Sequence, residues 1–192
     1  MFGFKHYMSA YLVEGKEIAL VDTGVPASWD ALCNGIKAHG FSLADISHVF
    51  VTHEHPDHIG NVSKILKESP RANVYMNPAG EKAFIDWSDP KKKETDLFAK
   101  RSGLMEPTPS SRIRHLNSGD LFDPGNNEVV EVIITPGHQP GGITLFDHRN
   151  NGLFINDLIG NYFPDADAHL ILLPAGSDIK QQIASMTTLM NL

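Results

Sequence analysis

Apolar and polar positions change their spacing along the chain, and each change predicts an element. Two short apolar runs, Met8 to Val13 and Glu17 to Asp22, flank Glu14-Gly15-Lys16 and predict two strands joined as a hairpin. From Ser28 to His39 the spacing becomes helical: Trp29, Leu32, Ile36 and His39 share a face, Ser28 stands at the cap position and Gly40 stops the run. His48 to Val51 predicts a strand. Ile59 to Glu68 predicts a helix with Ile59, Val62, Ile65 and Leu66 on one face, closed by Pro70, and Asn73 to Met76 a further strand. Pro78 to Arg101 is helical in pattern but interrupted near Ser88-Asp89-Pro90, and EPTPSSR after it is a loop. Four strands follow, Arg112 to Leu116, Glu128 to Ile134, Ile143 to Asp147 and Leu153 to Asn156, with turn punctuation at Asn126-Asn127 and Arg149 to Gly152. The chain closes on an amphipathic stretch, Ile179 to Leu192, whose apolar stripe is Ile179, Ile183, Met186 and Met190.

Strands interleaved with helices predict an α/β domain of layered sheets with helices outside. At 192 residues and 41% hydrophobic content the chain fits one domain with a substantial core. A formal charge of -7 gives no footprint for phosphate backbones, so nucleic acid is a poor partner. Cys33 is the single cysteine, which excludes an intrachain disulfide framework and is expected to be a buried filler. No run reaches the ~18 apolar residues of a membrane span, and MFGFKHYMSAYLVEG does not have the charge and apolar pattern of a leader, so a soluble cytoplasmic protein without a membrane partner is expected.

The chemistry concentrates in THEHPDH, Thr52 to His58, which holds three histidines and two acids in seven residues. His53 and His55 are two apart on extended chain, so their rings can face the same way. Pro56 then bends the backbone and sends Asp57 and His58 in other directions. One loop could therefore feed two neighbouring metals. Imidazole nitrogens and carboxylate oxygens suit zinc, with iron, manganese or cobalt as chemical alternatives. A helix starting near His58 or Ile59 would bring its positive end close to Asp57. His48 lies on the opposite strand face and is expected not to be a ligand. Further along, His138 sits in a Pro/Gly turn after an apolar strand, and Asp157 ends another; a carboxylate there can offer one oxygen to each of two cations.

THEHPDH resembles the HxHxDH signature of the metallo-beta-lactamase superfamily. Val21-Asp22-Thr23-Gly24 resembles that family's early aspartate turn, Pro136-Gly137-His138-Gln139-Pro140-Gly141 its second histidine loop, and Phe154-Ile155-Asn156-Asp157 its bridging-aspartate strand end. The resemblance implies an αββα four-layer sandwich with metals at one sheet edge. It implies that His53, His55 and His138 hold one metal, that Asp57 and His58 hold a second, and that Asp157 bridges them, with Asp22 supporting the metal loop. Gln139 and Asn156 depart from the family, which usually has Thr or Ser and often Gly there. The family's last metal histidine follows the helix after Asp157. His169, the only later histidine here, precedes that helix and is not expected to be a ligand. The helix from Ile179 ends without a stop signal or a following strand, so residues 1–192 are expected to be one domain of this type, truncated at its C-terminus.

The implied enzyme is a binuclear, glyoxalase II-like hydrolase, with zinc the first choice. A metal-bound hydroxide would attack a small ester, thioester or lactone, and Asp57 would act as the catalytic carboxylate that orients it and relays a proton. Two other readings stay open: a mononuclear iron persulfide dioxygenase using His53, His138 and Asp157, and a metal-binding domain without activity. His6, Tyr7 and the Tyr162-Phe163-Pro164 segment are candidate pocket residues, read first as packing or surface. The oligomeric state is open, a homodimer among the options.

Overall fold

The computed structural model describes residues 8–125, 129–163 and 166–192. The first hairpin forms as expected: β1 (Tyr11–Val13) pairs antiparallel with β2 (Ile18–Val21). A 3-10 turn at Pro26–Ser28 leads into α1 (Trp29–Ala38). Ser28 does not cap this helix by accepting a bond, since its hydroxyl donates to the Val25 carbonyl instead. β3 (Ile46–Phe50) follows, parallel to β2.

The expected helix from Ile59 to Glu68 is two helices, α2 (Pro56–Ile59) and α3 (Val62–Glu68). The first starts earlier than expected because Pro56 suits the opening position of a helix. The break at Gly60-Asn61 has a cause in the neighbouring turn. The Asn61 amide donates to the carbonyls of Thr23 and Val25, and a Cβ on Gly60 would lie 2.5 Å from the Gly24 carbonyl oxygen. With α2 only one turn long, its dipole is a minor source of positive potential near Asp57.

β4 (Asn73–Met76) matches expectation. The helical stretch after it is three pieces, α4 (Glu81–Asp86), α5 (Pro90–Thr95) and α6 (Leu97–Ser102). Besides the break before Pro90 there is a second one at Asp96, whose carboxylate accepts from the Phe98 and Ala99 amides and caps α6. β5 (Ile113–His115) completes a five-stranded sheet in the order β1-β2-β3-β4-β5.

A four-stranded antiparallel sheet follows: β6 (Leu121–Phe122), β7 (Val130–Ile134), β8 (Ile143–Asp147) and β9 (Gly152–Ile155). β6 is absent from the expected elements, because two residues carry no readable alternation. The Asn126-Asn127 turn lies outside the described residues. A small hairpin, β10 (Asn161–Phe163) with β11 (Ala168–Leu170), precedes α7 (Ile179–Leu189).

Strand alternation sorts side chains into layers. Ile18, Leu20, Val49, Val51, Val74 and Met76 face the helical side, where they pack with Ile36, Val62 and Ile65. Ala19, Val21 and Phe50 face the second sheet and meet Val130, Val132, Ile143 and Leu145. Beyond that sheet, Ile133 packs with Leu158 and Leu189 under α7. The order helix, sheet, sheet, helix is the expected αββα sandwich. His48 falls between the sheets, 4.8 Å from Tyr75 and 4.5 Å from Phe122 between ring centres, as its strand face required.

α7 is turned over relative to expectation. Gln182, Ser185 and Leu189 face the protein, while Ile179, Ile183 and Met190 of the anticipated stripe are exposed, Met190 by 86%. The reason is local. The carbonyls of Pro136 and Leu158 accept from Ser185 and Gln182 on this helix, and those of His138 and Gly137 from Ser177 and Asp178 just before it, so the polar face is the one held inward. Cys33 is half-buried on α1, so it is not the core filler expected.

Candidate metal centre

Each ligand-type side chain stands where an element ends. β3 delivers Val51 to the core, and the chain then leaves the sheet as Thr52-His53-Glu54-His55 before α2. The Thr52 carbonyl accepts from the Ile143 amide at 2.8 Å, which joins the ends of the two sheets beneath the motif. His138 lies in the β7–β8 loop and Asp157 directly after β9, so both reach the same edge.

Two clusters form there, one of His53, His55 and His138 and one of His53, His58 and Asp157, each with its donor atoms within 4.8 Å of one another. In the first, His55 Nδ1 is 3.0 Å from His53 Nε2 and 3.0 Å from His138 Nε2. Ligand atoms around a tetrahedral zinc, each about 2.0–2.1 Å from it, are about 3.3 Å apart, so these three nitrogens fit such a cation with little rearrangement. Protonation states fit as well. Burial and the neighbouring imidazoles hold His53 far below the ordinary histidine value and His55 at about 3, and burial also lowers His138. These rings are neutral donors at pH 7.

For His138 and His58, the partners on the far side of the ring fix which nitrogen faces the cluster. The Leu172 carbonyl, 3.2 Å from His138 Nδ1, can only accept, so Nδ1 carries the proton and Nε2 is free. His58 Nδ1 donates to Asp22 Oδ2 at 2.8 Å, which turns His58 Nε2 toward Asp157 Oδ1 at 3.5 Å. Burial would lower His58, but Asp22, Asp157 and Asp57 overcome it and raise it well above the usual value. Asp157 is pushed up by burial and pulled further down by His58, His138 and His55, ending below the ordinary carboxylate value. Its second oxygen is 3.8 Å from His138 Nε2, so one carboxylate addresses both clusters.

Asp22 supports the loop as anticipated. It adopts φ 58° and accepts from the Thr52 amide at 2.8 Å, the Thr52 hydroxyl at 2.7 Å and His58. Asp57 belongs to neither cluster. It is buried on the wall of a cavity of about 470 Å³ that also exposes His58 and Asp157, and burial is the main cause of its raised pKa. His169 is exposed, bonded to the Ile159 carbonyl, and joins no cluster. Tyr162 is exposed with its hydroxyl on Asp167; His6, Tyr7 and Pro164 lie outside the described residues.

Sequence reasoning leaves Glu54 and the buried amides unassigned. Glu54 turns away from the clusters, accepts from the Gly141 amide at 3.3 Å and is wedged between Gly80 and Gly141. Asn156 donates to Thr135 and Ile143, locking the end of β9 just before Asp157. Their polarity at apolar-looking positions is the available signal. Gln139, the other departure from the family, ties its amide to the Ala175 carbonyl at 3.0 Å.

Comparison with known proteins identifies the family. A Xenopus laevis protein, metallo-beta-lactamase domain-containing protein 1, is 42% identical over 137 residues, covering 71% of this chain and 46% of that protein. A putative diflavin flavoprotein A 1 of Thermosynechococcus vestitus is 26% identical over 160 residues, 83% of this chain and 24% of the relative. The chain thus spans under half the length of these two relatives. Among solved structures, a metallo-beta-lactamase family protein from Thermus thermophilus shares the fold with a TM-score of 0.75 at 21% identity, over 93% of this chain and 63% of that one. TTHA1623 in a di-iron-bound form reaches 0.68 at 27% identity, over 95% and 81%. The family model described as "Metallo-beta-lactamase superfamily" matches residues 6–192, nearly the whole sandwich and every ligand-type residue above. The chain belongs to the metallo-beta-lactamase superfamily.

Proposed function

We propose that the protein is a metal-dependent hydrolase of a small ester, thioester or lactone, holding two divalent cations, zinc by first preference and iron or manganese as alternatives. The observation that carries this reading is the shared carboxylate: Asp157 sends Oδ2 toward the three-nitrogen cluster and Oδ1 toward His58. His53, His55 and His138 would hold the first cation, and His58, Asp157 and Asp57 the second. When bound, two such cations activate water and polarise a carbonyl oxygen. His138 and His58 are oriented for this by Leu172 and Asp22. Asp57, on the cavity wall beside His58 and Asp157, would orient the attacking water and return its proton to the leaving group. Iron is supported as an alternative by the di-iron-bound form of TTHA1623.

Among the described residues no helix is long and apolar enough to cross a membrane. We place the enzyme in the cytoplasm, acting on a small molecule without nucleic acid or membrane as partner. The test is a panel of thioester, lactone, phosphodiester and beta-lactam substrates run beside metal analysis. Hydrolysis of a carboxyl derivative with about two cations per chain is the expected result. A single iron with oxygen uptake would overturn it in favour of a persulfide dioxygenase.

A further inference from the structure

The inward polar face of α7 reaches both halves of the metal centre through one residue. Gln182 is fully buried. Its amide nitrogen donates to the carbonyl of Leu158, the residue following Asp157, at 2.5 Å. Its backbone presses on Gly137, the residue preceding His138: a Cβ on Gly137 would collide with the backbone nitrogen and Cα of Gln182. The amide oxygen has no partner among the described residues. Further hydrogen bonds attach the His138 side, with Asp178 N on the Gly137 carbonyl, Ser177 Oγ on the His138 carbonyl and Ser185 Oγ on the Pro136 carbonyl, while Leu189 adds apolar packing with Leu158.

An apolar side chain at 182 would fill the space but leave the Leu158 carbonyl without its Gln182 donor, which favours any loop conformation that gives that acceptor another partner. The spacing between His138 and the bridging oxygens of Asp157 depends on that loop staying in place. We propose that Gln182 is a positioning residue of the metal centre, clamping the Asp157 loop against the His138 loop so that one carboxylate can serve two cations. This rests on the binuclear reading given above.

The experiment uses the full chain and titrates the metal-free protein with zinc against a chromophoric chelator, with cobalt spectra as a second readout. Gln182→Met removes the donor while keeping the length. Thr188→Ala is the control, removing a side-chain bond within the same helix on its exposed face, away from both loops. The expected result is two cations in the parent protein and, in Gln182→Met, a second cation weakened at least about tenfold, as loss of a supporting contact to a metal ligand does, with the first within about twofold. The cobalt spectrum of the second cation should change with it. Thr188→Ala should leave both affinities unchanged. If Gln182→Met does not fold, Gln182→Asn, which draws the amide back from Leu158, is read by the same criterion. An unchanged ratio in the Gln182 variant, or an equal fall at both sites, would overturn the positioning role while leaving the binuclear reading intact. A parent protein that takes up one cation would overturn that reading and this inference with it.

Discussion

Asp22 offers a perturbation whose size can be worked from its contacts. It is buried, accepts three hydrogen bonds and holds φ 58°, a conformation Asp and Asn tolerate and Ala does not. Asp22→Ala leaves the Thr52 amide and His58 Nδ1 without an acceptor, at about 1.5–3 kcal/mol each for bonds to a charged group. The strained backbone adds about 1 kcal/mol, for a total of about 4–7 kcal/mol. For a chain of this size the melting temperature should fall by about 10 °C or more. Asp22→Asn separates stability from metal binding. It keeps the turn and one acceptor for Thr52, but its amide group faces His58 Nδ1 as a donor. The neutral ring that a cation requires would then keep its proton on Nε2, the nitrogen that points at Asp157. The metal-free Asn variant should therefore melt closer to the parent than the Ala variant does, while its second cation weakens about 10–100-fold and the three-histidine site is retained. Thermal melts of metal-free protein and chelator-competition titrations read both quantities. A second cation bound as tightly as in the parent, or an Ala variant melting within about 3 °C of it, would refute this role for Asp22.

One share of the pH dependence of the metal-free protein should come from His55. Its folded value of about 3 lies below its unfolded value, so the unfolded chain takes up a proton that the fold refuses as pH falls below about 6.5. Stability is then lost on acidification at about 1.4 kcal/mol per pH unit from this group, between about 6.5 and 3. Denaturant titrations across pH should show a shallower acid limb in His55→Ala by that amount, and equal slopes would contradict the buried neutral ring. Asp157→Ala should lower hydrolysis by about 100-fold or more, as for loss of a group acting on the transition state, while the fold persists by circular dichroism. Parent-level turnover in that variant would remove Asp157 from the assignment.

Periodicity suffices where one side chain pattern dominates. β4 and β8 are readable to the residue because each alternates between two buried layers. The candidate histidine cluster is visible because THEHPDH is dense, whereas His138 and Asp157 need the family resemblance to be tied to it. The failures share a cause. Gly60-Asn61 breaks a helix and α7 turns its polar face inward because buried backbone carbonyls elsewhere in the chain demand donors. Such demands come from tertiary neighbours and leave no local period. The same holds for Glu54, which sequence reasoning leaves without a role and which lies against two glycines far apart in sequence.

The three-histidine site can be settled by crystallography of the zinc-loaded protein with anomalous scattering measured on both sides of the zinc edge. The expected result is an anomalous peak about 2.0–2.1 Å from His53 Nε2, His55 Nδ1 and His138 Nε2, with a second peak near His58 and one oxygen of Asp157 directed at each. A zinc peak that excludes His138, or zinc bound only elsewhere on the chain, would contradict it.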